Sequence, residues 1–151
     1  VVGVYDVSTS PPMMVMEYLA GGTLSERMKA GLTLGEVVSF ISQVALGLNF
    51  AHQAEVVHRD VKPPNIMFRE PQVAVITDFG IAKERSQDHS LTETGQVIGT
   101  TAYMSPEQLG TGETDGRSDQ YSLGIVFYEL LAGRRPFLGT SFYELAMQQL
   151  S

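Results

Sequence analysis

Residues 58–65 read His-Arg-Asp-Val-Lys-Pro-Pro-Asn and place four polar or charged functions in one short turn. At this spacing a carboxylate (Asp60), an ammonium (Lys62) and a carboxamide (Asn65) can converge on one small volume, and the two prolines stiffen the chain between them. Phosphoryl transfer uses these groups: a carboxylate orients a hydroxyl nucleophile, a cation neutralises developing charge and an amide oxygen holds a metal. The octet therefore predicts a phosphoryl-transfer site.

Length, net charge and cysteine content limit the classes of protein to which this chain could belong. The chain has 151 residues, enough for one domain with a substantial core, and ten basic against seventeen acidic residues give a net charge of −7. An acidic chain without a Lys/Arg run argues against nucleic acid or an anionic membrane as the main partner. The absence of cysteine excludes disulfides and thiolate metal sites and fits a reducing compartment.

Neither the first residues nor the apolar runs predict a leader or a membrane span. Residues 1–6 lack a charged region and a cleavage-like site, so they are not a signal peptide and look like the middle of a domain. The longest apolar run, residues 123–131, is broken by Glu129 and is too short to cross a bilayer. We expect no membrane segment in this chain.

The order of predicted elements is strands first and helices afterwards, with a small hairpin between. Capping-box patterns begin at Thr23, Thr33 and Ser105, and a similar cap begins at Ser141. Strands are predicted over residues 1–7, 13–19, 66–68 and 73–76, and helices over about 24–30, 34–52, from 106, 118–132 and from 142. This order predicts an α+β fold that is mostly helical.

Two further stretches indicate function. Asp78-Phe79-Gly80 follows the strand 73–76, and a carboxylate at a strand end can reach into a cleft and bind a hard cation such as Mg²⁺. A simple turn is the alternative, because Asp and Gly are common there, but the nearby octet favours the metal site. Residues 81–99 are polar without an apolar period, and such long loops are usually functional.

Together these motifs resemble the protein Ser/Thr kinases, in particular the bacterial relatives of the eukaryotic-type kinases. The octet resembles their catalytic loop, residues 16–24 (Met-Glu-Tyr-Leu-Ala-Gly-Gly-Thr-Leu) resemble the hinge between lobes, and residues 105–107 match Ala-Pro-Glu with Ser for Ala. The resemblance implies a partial kinase fold. Residues 1–16 would end the N-lobe, residues 17–23 would form the hinge, and residues 24–151 would form a C-lobe truncated at its C-terminus.

The resemblance also implies roles at the reaction centre. Asp60 would orient the substrate hydroxyl and accept its proton, and Lys62 would lie near the transferred phosphate. Asn65 and Asp78 would hold Mg²⁺. Thr100 would hydrogen-bond Asp60 and Lys62, with a loop hydroxyl capping the next turn as the alternative.

The implied ATP site lies at the hinge. The backbone carbonyl of Glu17 and the amide of Leu19 would meet adenine, with Met16 as gatekeeper and Met67 as floor. Thr23, with Lys62 and Asp78, completes the expected nucleotide-binding set.

Five residues receive structural roles from the same resemblance. His58 would stack with Phe79 and Val4 and need not titrate, Asp119 would hold the backbone of the catalytic loop, and Glu107 belongs to the Ser-Pro-Glu motif. His52 and His89 are treated as ordinary surface or helix-end histidines.

Arg59, beside the predicted catalytic aspartate, implies control by phosphorylation, because a guanidinium grips a phosphate bidentately. Residues 91–99 resemble the loop that bacterial kinases autophosphorylate, which makes Thr92 and Thr94 the candidates, with Ser86 and Ser90 weaker. The alternative is that these hydroxyls are simply solvated.

Other family motifs are missing from this sequence. No glycine-rich loop, Val-Ala-Ile-Lys strand or helix with the partner Glu precedes Val1, and no Arg for Glu107 follows Ser151. We therefore expect a piece of a kinase domain that binds nucleotide weakly, transfers phosphate poorly and exposes apolar surface.

The sequence thus predicts a protein Ser/Thr kinase that uses ATP and Mg²⁺ on Ser/Thr-containing protein substrates. This interpretation includes dimerisation for trans-autophosphorylation. It also places the kinase domain in the cytoplasm, either free or as part of a membrane-anchored bacterial kinase. A non-catalytic kinase-like scaffold or allosteric module remains the alternative. A small-molecule phosphotransferase is disfavoured by Arg59, Lys62 and the Ser-Pro-Glu motif with its long loop.

Overall fold

The computed structural model describes residues 1–79, 99–110 and 112–150. Its elements alternate between small hairpins and helices, in the α+β order expected from the sequence. They are β1 (Val4–Thr9), β2 (Pro12–Met16), α1 (Leu24–Ala30), α2 (Leu34–Gln53), a 3₁₀ turn (Pro63–Asn65), β3 (Ile66–Glu70), β4 (Val73–Ile76), α3 (Pro106–Leu109), α4 (Gly116–Ala132) and α5 (Phe142–Leu150).

The strands form two separate antiparallel hairpins, β1–β2 and β3–β4. Val2 N donates to Ile76 O at 3.1 Å and so ties the chain before β1 to the end of β4. The open end of the first hairpin is shorter than predicted, because β1 begins at Val4 and β2 ends at Met16. Glu17 N donates to Gly3 O at 2.9 Å and continues the strand pairing by one residue pair.

The turn after the hinge lies against β3 and needs a glycine. Gly21 N donates to Phe68 O at 2.9 Å, and Phe68 N donates to Gly22 O at 3.0 Å. A Cβ on Gly21 would lie 2.5 Å from Phe68 O and 2.6 Å from Phe68 Cβ, which no side chain tolerates. The close approach of the two backbones therefore explains the glycine.

The predicted helix starts and stops agree with the structure to within two residues. Thr23 and Thr33 cap α1 and α2. The side chains of Glu26 and Glu36 accept hydrogen bonds from the backbone amides of these capping residues, which completes both capping boxes. Asp115 caps α4, which begins two residues earlier than expected, and Gly133 ends it with a left-handed φ of 68°. Local sequence therefore sets these helix ends.

The core lies between α2, the β3–β4 hairpin and α4. Phe40, Val44 and Leu48 recur along one face of α2 and are buried. Phe40 meets Phe68 of β3 edge to face, with ring centroids 4.7 Å apart, and Val126 of α4 joins the same cluster. This packing fixes both ends of the segment that joins α2 to β3, residues 54–65, which contains the octet.

By length and composition α2 could cross a bilayer, in contrast to the expectation of no such segment. In this fold five of its side chains are buried against the rest of the protein. Apolar side chains also lie exposed on the first hairpin, and all five residues of β2 are exposed.

Candidate active site

Asp119 anchors the catalytic loop from the first turn of α4. Its carboxylate accepts from His58 N at 2.8 Å and from Arg59 N at 2.7 Å, and the residue is 1% exposed. Two amide donors on one buried carboxylate are charge-assisted bonds, stronger than neutral ones. The start of the loop is therefore fixed to the centre of the helical core.

His52 completes this anchor, and the sequence did not reveal it. Its Nε2 lies 2.7 Å from Asp119 Oδ2, although the two residues are 67 positions apart. A Cβ on Gly116 would lie 2.8 Å from the ring, so the glycine at the start of α4 makes room for the histidine. The signal available in the sequence was an ionisable residue in the last turn of an apolar helix, just before the octet.

Four predicted residues meet around the Asp60 side chain. Lys62 Nζ lies 3.0 Å from Asp60 Oδ2 and donates to Thr100 Oγ1 at 3.0 Å. Asn65 Nδ2 donates to Asp60 O at 2.8 Å and to Asp60 Oδ2 at 3.0 Å. The fold thus collects a carboxylate, an ammonium, an amide and a hydroxyl from two segments that are 38 residues apart.

Asn65 and Asp78 are the candidate metal ligands, and Thr77 links them. Thr77 N donates to Asn65 O at 2.8 Å, and Thr77 Oγ1 lies 3.5 Å from Asp78 Oδ2. Because Asn65 commits its amide nitrogen to Asp60, its amide oxygen is left as the group for a cation. An amide oxygen and an exposed carboxylate suit Mg²⁺, which takes one or two protein ligands and completes its shell with phosphate and water. Among the described residues no cluster of three acidic or histidine side chains offers another metal site.

His58 is a buried, neutral packing residue. Its Nε2 donates to Thr77 O at 2.8 Å and its Nδ1 accepts from Asp60 N at 3.2 Å, which defines one neutral tautomer. Burial lowers the pKa of His58, in agreement with that tautomer. The ring centroid lies 4.6 Å from that of Phe79. Val4, the expected third member of this stack, is half exposed on β1, and its place in the stack stays a prediction.

A cavity of about 270 Å³, which we call the hinge cavity, lies beside the hinge. It brings together five of the residues expected around ATP, namely Met16, Glu17, Leu19, Met67 and Asp78. Its remaining walls come from Val2, Tyr18 and Thr77. Mostly apolar walls with a few polar groups at one end are typical of small-molecule sites. Thr23 does not line this cavity. Its backbone pairs with that of Met67, and its hydroxyl caps α1.

An ion pair fixes one wall of the hinge cavity. Arg69 on β3 donates to the Glu17 carboxylate through both Nε and Nη2 of its guanidinium, with Nη2 2.7 Å from Oε2. Gly3 N also donates to Glu17 Oε2 at 3.3 Å. The hydrogen bond from Arg69 is the main reason why the pKa of Glu17 is lowered to about 2. No local pattern predicts this pairing, because its partners are 52 residues apart.

Glu107 and its neighbours tie α3 to α4. Ser118 Oγ donates to Glu107 Oε1, and this bond lowers the pKa of the Glu107 carboxyl. At the start of α3, Gln108 Oε1 accepts from Ser105 N at 3.0 Å, as a capping box requires. Gln108 also reaches Arg59, because its Nε2 donates to Arg59 O at 2.8 Å.

The phosphorylation candidates Thr92, Thr94, Ser86 and Ser90, and also His89, lie outside the described residues. Arg59 is described, with a left-handed backbone φ of 65°, directly before Asp60. The expected contact between Arg59 and a phosphorylated loop therefore stays a prediction.

A second cavity of about 350 Å³ lies on the other side of the catalytic loop. Pro63 of the octet, Tyr103 of the segment after Thr100, and residues of α1 and α4 form its walls. Tyr103 OH donates to Glu129 Oε2 at 2.6 Å, which joins two of those walls. This cavity is larger than the hinge cavity, but none of the residues expected to bind ATP or Mg²⁺ lines it.

Known proteins resemble this chain along its whole length. A family profile described as protein kinase domain matches residues 1–151. The serine/threonine-protein kinase PknL of Mycobacterium tuberculosis is 42% identical over 153 residues, covering 99% of this chain and 38% of that protein. PknB of Mycobacterium leprae is 40% identical over 158 residues, with 99% and 25% covered. A probable serine/threonine-protein kinase of Clostridium acetobutylicum is 38% identical over 154 residues, with 99% and 23% covered.

The chain spans 23% to 38% of the length of these curated relatives. The matched profile nevertheless runs through every element of the fold, from the first hairpin to α5. The catalytic loop is joined to the Ser-Pro-Glu segment by Gln108, and the hinge turn is paired with β3 directly after that loop. On these grounds the chain belongs to the serine/threonine protein kinase family.

Proposed function

We propose that this chain carries the catalytic centre of a protein Ser/Thr kinase, which transfers the γ-phosphoryl group of ATP to Ser or Thr hydroxyls of protein substrates. The observation that carries the proposal is the cluster of Asp60, Lys62, Asn65 and Thr100, within reach of a cavity at the hinge. A structural turn needs no such convergence of a carboxylate with an ammonium and an amide.

Asp60 would bind the substrate hydroxyl and accept its proton. Its Oδ2 is held by Lys62 and Asn65 at 3.0 Å each, so the direction of the carboxylate is set before substrate arrives. Lys62 brings positive charge to the place where the transferred phosphoryl group becomes more negative. Thr100, bound to Lys62, contributes a hydroxyl on the side from which a peptide would approach.

ATP would lie with adenine in the hinge cavity, against Met16 and Met67 and the backbone of Glu17 and Leu19. Its phosphates would extend toward Asp78 and Asn65, which would hold Mg²⁺. When bound, the metal supplies charge neutralisation on the phosphate oxygens. The protein substrate would lie over Asp60 and Thr100, beside the cavity lined by Pro63 and Tyr103.

Control would come from autophosphorylation of the loop that carries Thr92 and Thr94, in trans within a dimer, with Arg59 binding the new phosphate. Because the donor ATP is a cytoplasmic metabolite, the kinase domain would work in the cytoplasm, in a free or a membrane-anchored protein.

The test is phosphate incorporation from MgATP by the protein expressed from its complete gene, mapped by mass spectrometry. Wild type is compared with Asp60→Asn and with Asp6→Asn, an exposed aspartate on β1. We expect phosphate on Thr92 or Thr94 in wild type and Asp6→Asn, and a loss of at least about a thousandfold in Asp60→Asn. A folded wild type that transfers no phosphate to itself or to a generic protein substrate would replace this proposal with the non-catalytic module.

A further inference from the structure

Gln108, at the third position of α3, uses both polar atoms of its side chain. Its Oε1 accepts from Ser105 N at 3.0 Å and from Ser105 Oγ at 3.3 Å, which closes the start of the helix. Its Nε2 donates to Arg59 O at 2.8 Å, across 49 residues of sequence. One side chain therefore joins the Ser-Pro-Glu segment to the catalytic loop.

The backbone of Arg59 has a strained conformation that hydrogen bonds to neighbouring elements help to hold. Its φ of 65° lies in the left-handed region, which is unfavourable for a residue with a side chain. Backbone strain of this kind persists when the surrounding structure holds the residue from several sides. Arg59 N is held by Asp119 at 2.7 Å and Arg59 O by Gln108 at 2.8 Å. The peptide groups on both sides of the strained residue are thus bound to different helices.

Asp60 is the next residue, so its position depends on the backbone conformation of Arg59. The carbonyl bound by Gln108 belongs to the peptide group that connects Arg59 to Asp60. Rotation of that peptide group would swing Asp60 N away from His58 Nδ1, which it meets at 3.2 Å. The contact with Gln108 opposes this rotation.

The other capping boxes show why an amide stands at this position. In α1 and α2 the corresponding residues are Glu26 and Glu36, whose carboxylates only accept hydrogen bonds. Glu and Gln close a capping box equally well. At position 108, however, a carboxylate would set an acceptor against the carbonyl of Arg59. The amide nitrogen therefore has a use beyond the helix cap.

We propose that Gln108 is a positioning residue of the kinase reaction. Its amide nitrogen holds the Arg59–Asp60 peptide group and so couples the segment that follows Thr100 to the direction of the Asp60 carboxylate. This inference rests on the proposed phosphotransfer function.

The deciding variant is Gln108→Glu in the protein expressed from its complete gene. It keeps the acceptor of the capping box and removes the donor to Arg59. We expect kcat for phosphorylation of a generic protein substrate to fall about tenfold. The KM for ATP should stay within about twofold, because the hinge cavity contains no contact with Gln108. The matched control is Glu36→Gln, the reverse exchange in the capping box of α2, which should leave kcat unchanged.

The pH profile separates a lost hydrogen bond from a general loss of packing. A protonated carboxyl at position 108 regains a donor, and glutamate ordinarily has a pKa of about 4.3, so the ratio of wild-type to Gln108→Glu kcat should shrink as the pH falls from about 6 to about 4.5. Gln108→Met has no donor at any pH, and its ratio should stay constant. Gln108→Met also keeps the proposal testable if the charged variant folds poorly.

Amide hydrogen exchange at residues 58–61 tests the positioning without relying on activity. Gln108→Glu should speed exchange at Asp60 N at least about fivefold, while Glu36→Gln should not. Unchanged exchange and kcat in a folded Gln108→Glu protein would overturn the inference. An inactive wild type would overturn the proposed function instead, and the exchange result would still decide the role of Gln108.

Discussion

His52 Nε2 lies 2.7 Å from Asp119 Oδ2, and the same carboxylate accepts the backbone amides of His58 and Arg59. Asp119 is therefore the point at which the end of α2, the catalytic loop and the start of α4 meet. Because the carboxylate is 1% exposed, each of its partners replaces water that it lost on folding. This junction sets the position of Asp60 before any substrate binds.

Asp119→Asn should destabilise the protein and reduce kinase activity together. One oxygen becomes an amide nitrogen that cannot accept from a loop amide, and loss of a hydrogen bond to a charged group costs about 2 to 3 kcal/mol. The free energy of unfolding, measured by denaturant titration, checks the stability. Asp115→Asn is the control, because asparagine also caps helices and Asp115 is exposed; it should change stability by less than about 0.5 kcal/mol. Equal losses in the two variants would contradict the anchoring role.

The pair Glu17–Arg69 should make a pH-dependent contribution to stability. The pKa of Glu17 is lowered to about 2 in the fold, so its stabilisation is present above the unfolded pKa, near 4.5, and is lost as the pH falls through about 2. The difference in melting temperature between wild type and Glu17→Gln should be constant above about pH 5 and should close as the pH falls below about 4.5. His58, whose pKa is lowered by burial, also destabilises the protein in acid, but it does so in both proteins and cancels in the difference.

A charge exchange checks the origin of that effect. The double variant Glu17→Arg with Arg69→Glu should recover part of the stability that either single variant loses, as a double-mutant cycle measures. Purely additive losses would mean that the two side chains do not interact in solution.

Asp78→Asn should separate binding of the base from binding of the phosphates. Asp78 is a candidate magnesium ligand at the end of β4, whereas adenine would rest on Met16 and Met67. We expect affinity for MgATP, measured by calorimetry, to fall about tenfold or more, because a hard cation loses a charged ligand. Affinity for adenosine without metal should change by less than about twofold. Equal losses for both ligands would place Asp78 in contact with the base or in the fold itself.

Gly21→Ala should destabilise the hinge, because its new methyl group would lie 2.5 Å from Phe68 O. Overpacking of this kind costs about 1 to 3 kcal/mol. The matched control is Gly124→Ala, in the middle of α4, where a Cβ meets nothing within 4 Å. That exchange should stabilise the protein by about 0.5 to 1 kcal/mol, since alanine favours the helix over glycine. Opposite signs in thermal melting would show that close approach, and not loss of glycine as such, is responsible.

The helices were predictable because their signals are local. Thr23 and Thr33 stand with a glutamate three residues on, before an apolar period, and both cap the expected helices. The end of α2 and the strand Val73–Ile76 also agree with the sequence pattern to within a residue. The first hairpin is shorter than its pattern predicts at its open end, because where two strands stop pairing depends on both chains and not on the apolar pattern of either one.

Three contacts at the site have no local signature. From sequence, His52 is an ordinary helix-end histidine, Gln108 is only part of a capping box, and Arg69 carries no prediction. Each acquires its role through a partner more than 45 positions away, namely Asp119, Arg59 and Glu17. The expectation that Val4 stacks beside His58 stays a prediction, because the neighbours of Val4 depend on the strand pairing of β1 and not on local sequence.

The sequence by itself determined the fold class and most of the helix ends, and it singled out the residues that we propose carry the chemistry, because capping, apolar period and motif spacing act over a few residues. Tertiary structure decided how those residues are held. The strained backbone of Arg59 is fixed by Asp119 and Gln108, and the hinge wall by Arg69. Such contacts form when buried or strained groups must find partners on distant elements, and the packing of α2, β3–β4 and α4 selects those partners.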